Sequence, residues 1–360
     1  MAETGKTRVV VGMSGGVDSS AAAALLLEQG YDVVGITLKL WPQDCVNRAE
    51  DKCCGPQAVM DARSVSHKLN IPYYLVDEAE DFQKQVINYF AEEYKAGRTP
   101  NPCVMCNEKL KFGTLINRAR QLGAEYIATG HFARVEKRED GRMLLKRGRD
   151  ARKDQSYFLF SLRQEQLART LFPLGEMTKT DTRCVARESH LKTADKEESM
   201  EICFVPDKDY GRFLQQADLV KKHRGEIVNL HGHVLGHHEG IEFYTIGQRR
   251  GLGISSPKPL YVVELDAANN RVIVGDESAL DRDEFTVERC NWISFDAPPP
   301  HIEVTAKIRY NHPGTAATII PGPNGSARVK LHTPQRAITP GQACVFYQED
   351  LVVGGGWIGR

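Results

Sequence analysis

The sequence predicts an α/β N-terminal domain built on a parallel sheet, followed by a small central module and a C-terminal antiparallel β-barrel. Three observations carry this. Apolar, β-branched runs alternate with helical patterns up to about Cys203. From Gly225 onward, strand-length runs are punctuated by Gly, Pro and Asn turns. At 360 residues the chain has room for two or three separate cores. The predicted boundaries are 1–205, 206–282 and 283–360.

In chain order, Val9–Met13 reads as a buried strand and a glycine turn follows it. The Ala- and Leu-rich stretch Asp18–Gln29 reads as a helix, and Asp32–Leu38 as the next strand. Met60–Leu69 has helical spacing and ends near Asn70, before the strand Pro72–Val76. Asp81–Lys95 and Phe112–Leu122 are predicted helices, with a short strand at Tyr126–Ala128. Strands alternating with helices require crossover connections and hence parallel pairing. Asp207–Lys222 is a short predicted helix. Tyr261–Leu265 and Arg271–Val274 flank Ala267–Asn270 as a hairpin. After Pro298–Pro300 come the strand patterns His301–Arg309, Ala316–Ile320, Ala327–Leu331, Ala343–Tyr347 and Leu351–Val353.

Charge and cysteine usage narrow the function classes. Lys+Arg and Asp+Glu balance at 47 each, so nucleic acid must be met by local patches rather than by the overall field. Arg134–Lys153 is such a patch, with nine Lys/Arg against four Asp/Glu, and Lys221, Lys222 and Arg224 form another. The start Met1–Thr7 is polar and the longest apolar run, Ala21–Leu27, is far short of the ~20 residues of a membrane helix. The expectation is a cytoplasmic protein with no membrane partner. An odd count of nine cysteines argues against a disulfide scaffold. His231, His233, His237 and His238 lie in a Gly-rich turn region without ligand spacing and read as surface histidines.

The sharpest local signal is Ser14-Gly15-Gly16-Val17-Asp18-Ser19-Ser20, between the first strand and the first helix. Two glycines allow a tight turn that presents backbone N–H groups, and the helix start adds partial positive charge. That combination suits phosphate or pyrophosphate. Asp18 can cap the helix or hold Mg²⁺ beside the phosphates. No Gly-Lys-Ser/Thr follows, so this is not a Walker A loop, and the three-glycine dinucleotide spacing is absent.

The loop resembles that of the ATP pyrophosphatases, which adenylate a carbonyl oxygen so that a nucleophile can displace AMP. Five further blocks follow: Thr99-Pro100-Asn101-Pro102-Cys103-Val104-Met105-Cys106-Asn107, Ala128-Thr129-Gly130-His131, Lys153-Asp154-Gln155-Ser156-Tyr157-Phe158-Leu159, Glu201-Ile202-Cys203-Phe204, and Thr245-Ile246-Gly247-Gln248-Arg249-Arg250-Gly251-Leu252-Gly253. Each is similar to a block of the tRNA 2-thiouridylase family, in that family's order, from about Arg8 into the C-terminal barrel. The resemblance implies an adenine nucleotide alpha-hydrolase-like fold. It implies ATP-dependent replacement of the C2 oxygen of the wobble uridine by sulfur in Lys, Glu and Gln tRNAs, with an upstream persulfide carrier or sulfide as donor.

The residue roles come with the resemblance. Cys106 matches the family's nucleophile and Cys203 its persulfide carrier, with a disulfide forming between them as sulfur leaves. Lys109 or a helix start could lower the thiol pKa. Gly12, Met13, Ser14, Gly15, Gly16, Val17, Asp18, Ser19, Leu38 (through its backbone) and Gly130 would line the ATP site. Asn101, Pro102 and Cys103 would sit against the target base. His131, Lys153, Asp154, Gln155, Arg309, Tyr310 and Gln342 would touch tRNA. Many members carry Asp where this chain has Cys103. Cys103, Cys106 and Cys203 could therefore hold a 4Fe–4S cluster with one open iron, or the last two could run a persulfide relay, or the thiols could be structural. Cys45, Cys53 and Cys54 recur in the family without an assigned mechanism. The rival readings are a small-molecule synthetase on the same loop, an RNA-binding module with a vestigial nucleotide site, and a sulfurtransferase acting at another tRNA position.

Overall fold

The computed structural model describes residues 5–40, 55–197, 202–205 and 209–359. Cys45, Cys53 and Cys54 lie outside the described residues. The chain divides into two compact units, one of Met1–Val86, Cys103–Lys208 and Asp350–Val352, the other of Ile87–Pro102, Asp209–Glu349 and Val353–Arg360.

The first unit is centred on a parallel sheet of β1 (Arg8–Gly12), β2 (Asp32–Lys39), β3 (Tyr73–Asp77), β4 (Tyr126–Ala128) and β7 (Thr170–Leu171), in the order β3-β2-β1-β4-β7. The pairings are parallel throughout. Val9, Val10 and Val11 are fully buried, as a β-branched strand covered on both faces should be. Helix α1 (Val17–Glu28) follows β1. Its Ala21, Ala22 and Ala23 are also fully buried, because small side chains let neighbouring elements approach it closely. Helix α2 (Pro56–Lys68) starts on Pro56, whose missing N–H costs nothing in a first turn. Helix α3 (Lys179–Glu188) carries a capping box between Thr178 and Asp181 and packs on α1 through Ala186 and Val185.

The chain runs from β1 to β2 and β3 on one side of the sheet, then returns to place β4 on the other side of β1. The turn after β1 and the turn after β4 therefore flank one crevice, the switch point where open α/β sheets bind ligands.

One sequence expectation needs correction in this unit. Helical winding begins at Pro102–Cys106 rather than at Phe112, continues through a π-wound stretch Asn107–Thr114, and ends in the helix Leu115–Gln121. The basic segment Arg134–Lys153 is largely the hairpin β5 (Ala133–Lys137) and β6 (Met143–Arg147). Much of its charge is spent internally. Arg134 pairs with Glu176 and Asp350, Arg138 with Asp140, and Lys146 with Glu136.

In the second unit, β8 (Gly225–Asn229), β9 (Val234–His238), β10 (Tyr261–Asp266) and β11 (Arg271–Gly275) form a four-stranded sheet in the order β10-β11-β8-β9, with the predicted hairpin at β10–β11. Ile227, Val262, Val272 and Val274 fill its core. His238 belongs to this structure: one ring nitrogen meets the Asn270 carbonyl and the other accepts the Gly240 N–H. The predicted helix Asp207–Lys222 is shorter, Tyr210–Gln216, capped by Asp209. Its Tyr210 stacks on Tyr94 of the helix Asn88–Lys95 with ring centroids 4.5 Å apart.

The barrel comprises β12 (Asp281–Trp292), β13 (Ile302–Lys307), β14 (Thr315–Pro321), β15 (Ala327–Arg336), β16 (Ala343–Gln348) and β17 (Leu351–Ile358), and a β12–β17 pairing closes it. β15 alternates inward Ala327, Val329 and Leu331 with outward Arg328 and Lys330, the period-2 pattern of a sheet with one buried face. Sequence reading missed β12, because its charge-rich start Asp281–Glu284 hides the alternation. Among the described residues no helix is long and apolar enough to cross a membrane.

Candidate active site

The Ser14–Ser20 turn is held from several directions. The Met13 N–H donates to the Ile36 carbonyl at 2.7 Å, and the Met13 carbonyl accepts from the Thr37 hydroxyl at 2.7 Å. Both contacts come from β2. The Ser19 hydroxyl accepts the Ser14 N–H at 3.2 Å, and the Ser20 hydroxyl donates to the Gly16 carbonyl at 2.8 Å. Gly15 has φ +69°, and a Cβ there would lie 2.1 Å from the Ala58 carbonyl oxygen of α2. Gly130, just past β4, passes so close to α1 that a Cβ would lie 2.6 Å from the Asp18 carbonyl carbon and the Ser19 nitrogen. Glycine is required at both places, for conformation and space at the first and for space at the second. The first turn of α1, with amides that have no intrahelical acceptor, therefore opens onto the crevice between β1 and β4.

Asp18 does not cap α1. The N-cap is Gly16, without a side-chain hydrogen bond, and the Asp18 carboxylate instead takes the Lys179 ammonium at 2.5 Å. Asp18, on the first turn of α1, is a carboxylate of the kind that would hold a Mg²⁺ carried on nucleotide phosphates. Lys196 was also missed in the sequence. Its Nζ donates to the Gly15 carbonyl at 3.1 Å and to Asp61 at 2.5 Å. Neither lysine lies in a motif, and no local signal could have found them. Leu38 sits half-buried on β2, and Gly12 closes β1.

The thiols occupy a different kind of segment. Cys103 is exposed, and Cys106 and Cys203 are half-buried. Buried Val104, Met105 and Leu110 anchor the winding that carries the first two. Asn107 is buried beside Cys106. Its amide donates to the Phe158 carbonyl at 3.1 Å, while its Oδ1 has no hydrogen-bond partner. Lys109, expected to tune Cys106, is ion-paired with Glu108 at 2.6 Å. Cys203 lies in a turn closed by the Val205 N–H on the Ile202 carbonyl, and its neighbour Phe204 packs edge-on against Phe82.

Among the described residues no three His, Cys, Asp or Glu side chains come together as a metal-holding group. Cys103, Cys106 and Cys203 are among those residues and form no such group in this structure.

The predicted tRNA contacts divide. Asp154 is buried and accepts from the Gly148 N–H, the Ser156 N–H and the Ser156 hydroxyl. The Gln155 side chain accepts the Phe132 N–H. His131 is buried between Phe112 and Phe172 and meets the Thr129 hydroxyl at 2.7 Å; burial, with Lys111 nearby, holds its pKa well below 6.5. In the second unit, Gln342 donates to the carbonyls of Thr99 and Pro100, and the Thr99 N–H donates to the Pro340 carbonyl. This loop grips the irregular segment entering Asn101 and Pro102, both buried. Lys153 and Tyr310 are half-buried and Arg309 is exposed.

Known proteins resemble this chain along its whole length. Three family profiles match in order: a tRNA methyl transferase HUP domain over residues 7–207, a tRNA methyl transferase PRC-barrel domain over 211–276, and an aminomethyltransferase β-barrel domain over 282–358. The tRNA-specific 2-thiouridylase MnmA of Clostridium perfringens is 49% identical over 354 residues, covering 98% of each chain. That of Moorella thermoacetica is 52% identical over 351 residues, covering 97% of this chain and 98% of its own. This chain belongs to the tRNA-specific 2-thiouridylase family. It is an enzyme of that type, a tRNA-uridine 2-sulfurtransferase. Solved structures are more distant. A 4-thiouridine synthetase–RNA complex with bound ATP is 19% identical, covers 61% of this chain and 52% of its own, and has a TM-score of 0.36. An NMN synthetase from Francisella tularensis is 16% identical over 54% of this chain and 66% of its own, with a TM-score of 0.33. Likeness at that level carries no functional argument.

Proposed function

We propose that this 2-thiouridylase adenylates the C2 oxygen of the wobble uridine with ATP and then replaces it by sulfur. The observation that carries the reading is the Ser14–Ser20 turn, whose Gly15 nothing larger can replace and against which Gly130 packs with no room for a Cβ, opening a helix start onto the switch-point crevice. In the first step the uridine O2 bonds to the α-phosphorus and pyrophosphate leaves. In the second, the terminal sulfur of a Cys203 persulfide attacks C2 and AMP departs with the oxygen. The Cys106 thiolate then attacks the Cys203 sulfur, releasing 2-thiouridine and leaving a Cys106–Cys203 disulfide for an external thiol to reduce. An upstream persulfide protein reloads the reduced Cys203; alternatively hydrosulfide attacks the Cys203 sulfur of the disulfide itself, displacing the Cys106 thiolate and regenerating the persulfide directly. Mg²⁺, held by Asp18, would neutralise charge on the phosphates.

Gly12 to Ser19, the Leu38 backbone and Gly130 form the ATP site. Asn101, Pro102 and Cys103 face the target base, which must leave the anticodon stack to be reached. Lys153, Arg309 and Tyr310 contact tRNA of the Lys, Glu and Gln kind. His131, Asp154, Gln155 and Gln342 support that contact by shaping the backbone they hydrogen-bond. The site works in the cytoplasm, where thiols stay reduced. The test is ATP-dependent sulfur incorporation into a tRNA transcript with a sulfide donor. Omission of ATP, Cys106→Ala or Cys203→Ala should each abolish it while tRNA binding persists. Full activity in either variant refutes the relay, and full activity without ATP refutes the adenylation step.

A further inference from the structure

Two lysines distant in sequence converge on the Ser14–Ser20 turn. Lys179, the first residue of α3, places its Nζ 2.5 Å from Asp18 on the first turn of α1. Lys196 places its Nζ 3.1 Å from the Gly15 carbonyl and 2.5 Å from Asp61 of α2. Their side chains are only 12% and 27% exposed, so neither is a solvated surface cation. Arg183 lies one turn along α3 from Lys179. Its guanidinium donates to the carbonyls of Ala194 at 2.5 Å and Lys196 at 3.1 Å. A single helix thus carries the first lysine and grips the backbone of the second. That helix is itself fixed by its Thr178–Asp181 box, by Asp150 accepting the Lys179 N–H, and by packing on α1.

A helix start and backbone amides offer only partial charges. The bond broken in adenylation sends its electron pair onto pyrophosphate, and preorganised full charges stabilise that group most. We propose that Lys179 and Lys196 hold the β- and γ-phosphates of ATP and take up the charge of the departing pyrophosphate, with Arg183 a positioning residue for Lys196. This deepens the ATP-dependent reading above and rests on it. Asp18 and Asp61 keep the two ammonium groups at the turn, and phosphate oxygens replace the Gly15 carbonyl as a partner of Lys196.

The test is titration calorimetry of the full chain with ATP and, separately, with AMP, both in Mg²⁺, with thermal melts run on every variant. Lys179→Ala and Lys196→Ala should each weaken ATP roughly 10- to 100-fold, the scale of a lost charge-assisted contact, and change AMP by less than about twofold. Arg183→Ala should reproduce the ATP-selective loss of Lys196→Ala, and the double variant should be no weaker than either single one. A variant that melts early is replaced by its Lys→Gln form, read by the same criterion. Unchanged ATP affinity, or equal losses for ATP and AMP, overturns the proposal. A wild-type chain that binds neither nucleotide overturns instead the ATP-dependent reading beneath it.

Discussion

The nucleotide turn and the thiol segment belong to the same α/β unit but are built on opposite terms. The turn after β1 is over-determined. A backbone bond and a threonine hydroxyl from β2, two serine hydroxyls and Gly15, which has no room for a Cβ, all specify one conformation. The segment from Pro102 to Thr114 leaves regular α-helical geometry, buries an asparagine with one unpaired oxygen, and keeps Cys103 exposed. π-Helical turns interrupting an α-helix are frequent at functional sites. The difference fits the two tasks proposed for them. Phosphates are the same in every turnover and suit a rigid cradle, whereas a thiol that takes up and hands on sulfur must be reached by several partners in turn.

The comparison can be broken most sharply at the thiols. Cys106→Ser and Cys203→Ser should remove sulfur incorporation completely while leaving the urea midpoint of unfolding unchanged. A variant that loses both activity and stability would show the thiols to be structural. The next largest effect lies in the cradle. Gly15→Ala forces a Cβ into the α2 backbone at a positive φ, and should cost about 3–4 kcal/mol of stability and abolish ATP binding. Normal ATP affinity in that variant would show the turn to be far softer than its contacts imply. Phe204→Ala removes the ring that packs against Phe82 beside Cys203. A loss of about 3 kcal/mol is expected, with sulfur incorporation falling more than ATP binding.

A smaller effect is pH-dependent. Burial depresses the pKa of His131 in the folded chain, while in the unfolded chain it returns to about 6.5. Below that pH the unfolded state binds more protons, so stability is fully present above 6.5 and declines as pH falls. The slope is up to about 1.4 kcal/mol per pH unit for this group. His238 and His312, also depressed by burial, act in the same direction. Urea midpoints at pH 7.5 and 5.5 should differ less in His131→Asn than in the wild type. The mildest contrast is among cysteines. In the barrel Cys344 is fully buried with its pKa well raised, and burial pushes the Cys290 thiol up to about 12. Mass-mapped alkylation of native protein should label Cys103 before either of them.

What the sequence determined by itself is local or motif-borne. The run Val9–Met13, the glycine turn and the Ala-rich helix follow from β-branching, glycine and small side chains within one short stretch, and they reappear as β1 and α1. The β10–β11 hairpin and most barrel strands were legible because alternation and turn residues are short-range. The ordered motif blocks named the family. Tertiary structure alone decided how the polar side chains pair. Lys179 reaches Asp18 across 161 positions, Lys196 reaches Asp61 across 135, and Gln342 reaches the Thr99 carbonyl across 243. Asp154, read as a tRNA contact, turns inward to hold three donors of its own hairpin and turn. The winding from Pro102 was missed although Pro102 opens it, because the π-wound stretch after it has no periodicity that composition reveals. Hydrophobic pattern fixes which face of an element is buried. Which charge meets which carboxylate depends on where the crossovers bring distant turns together, and that is a property of the sheet order rather than of any local stretch.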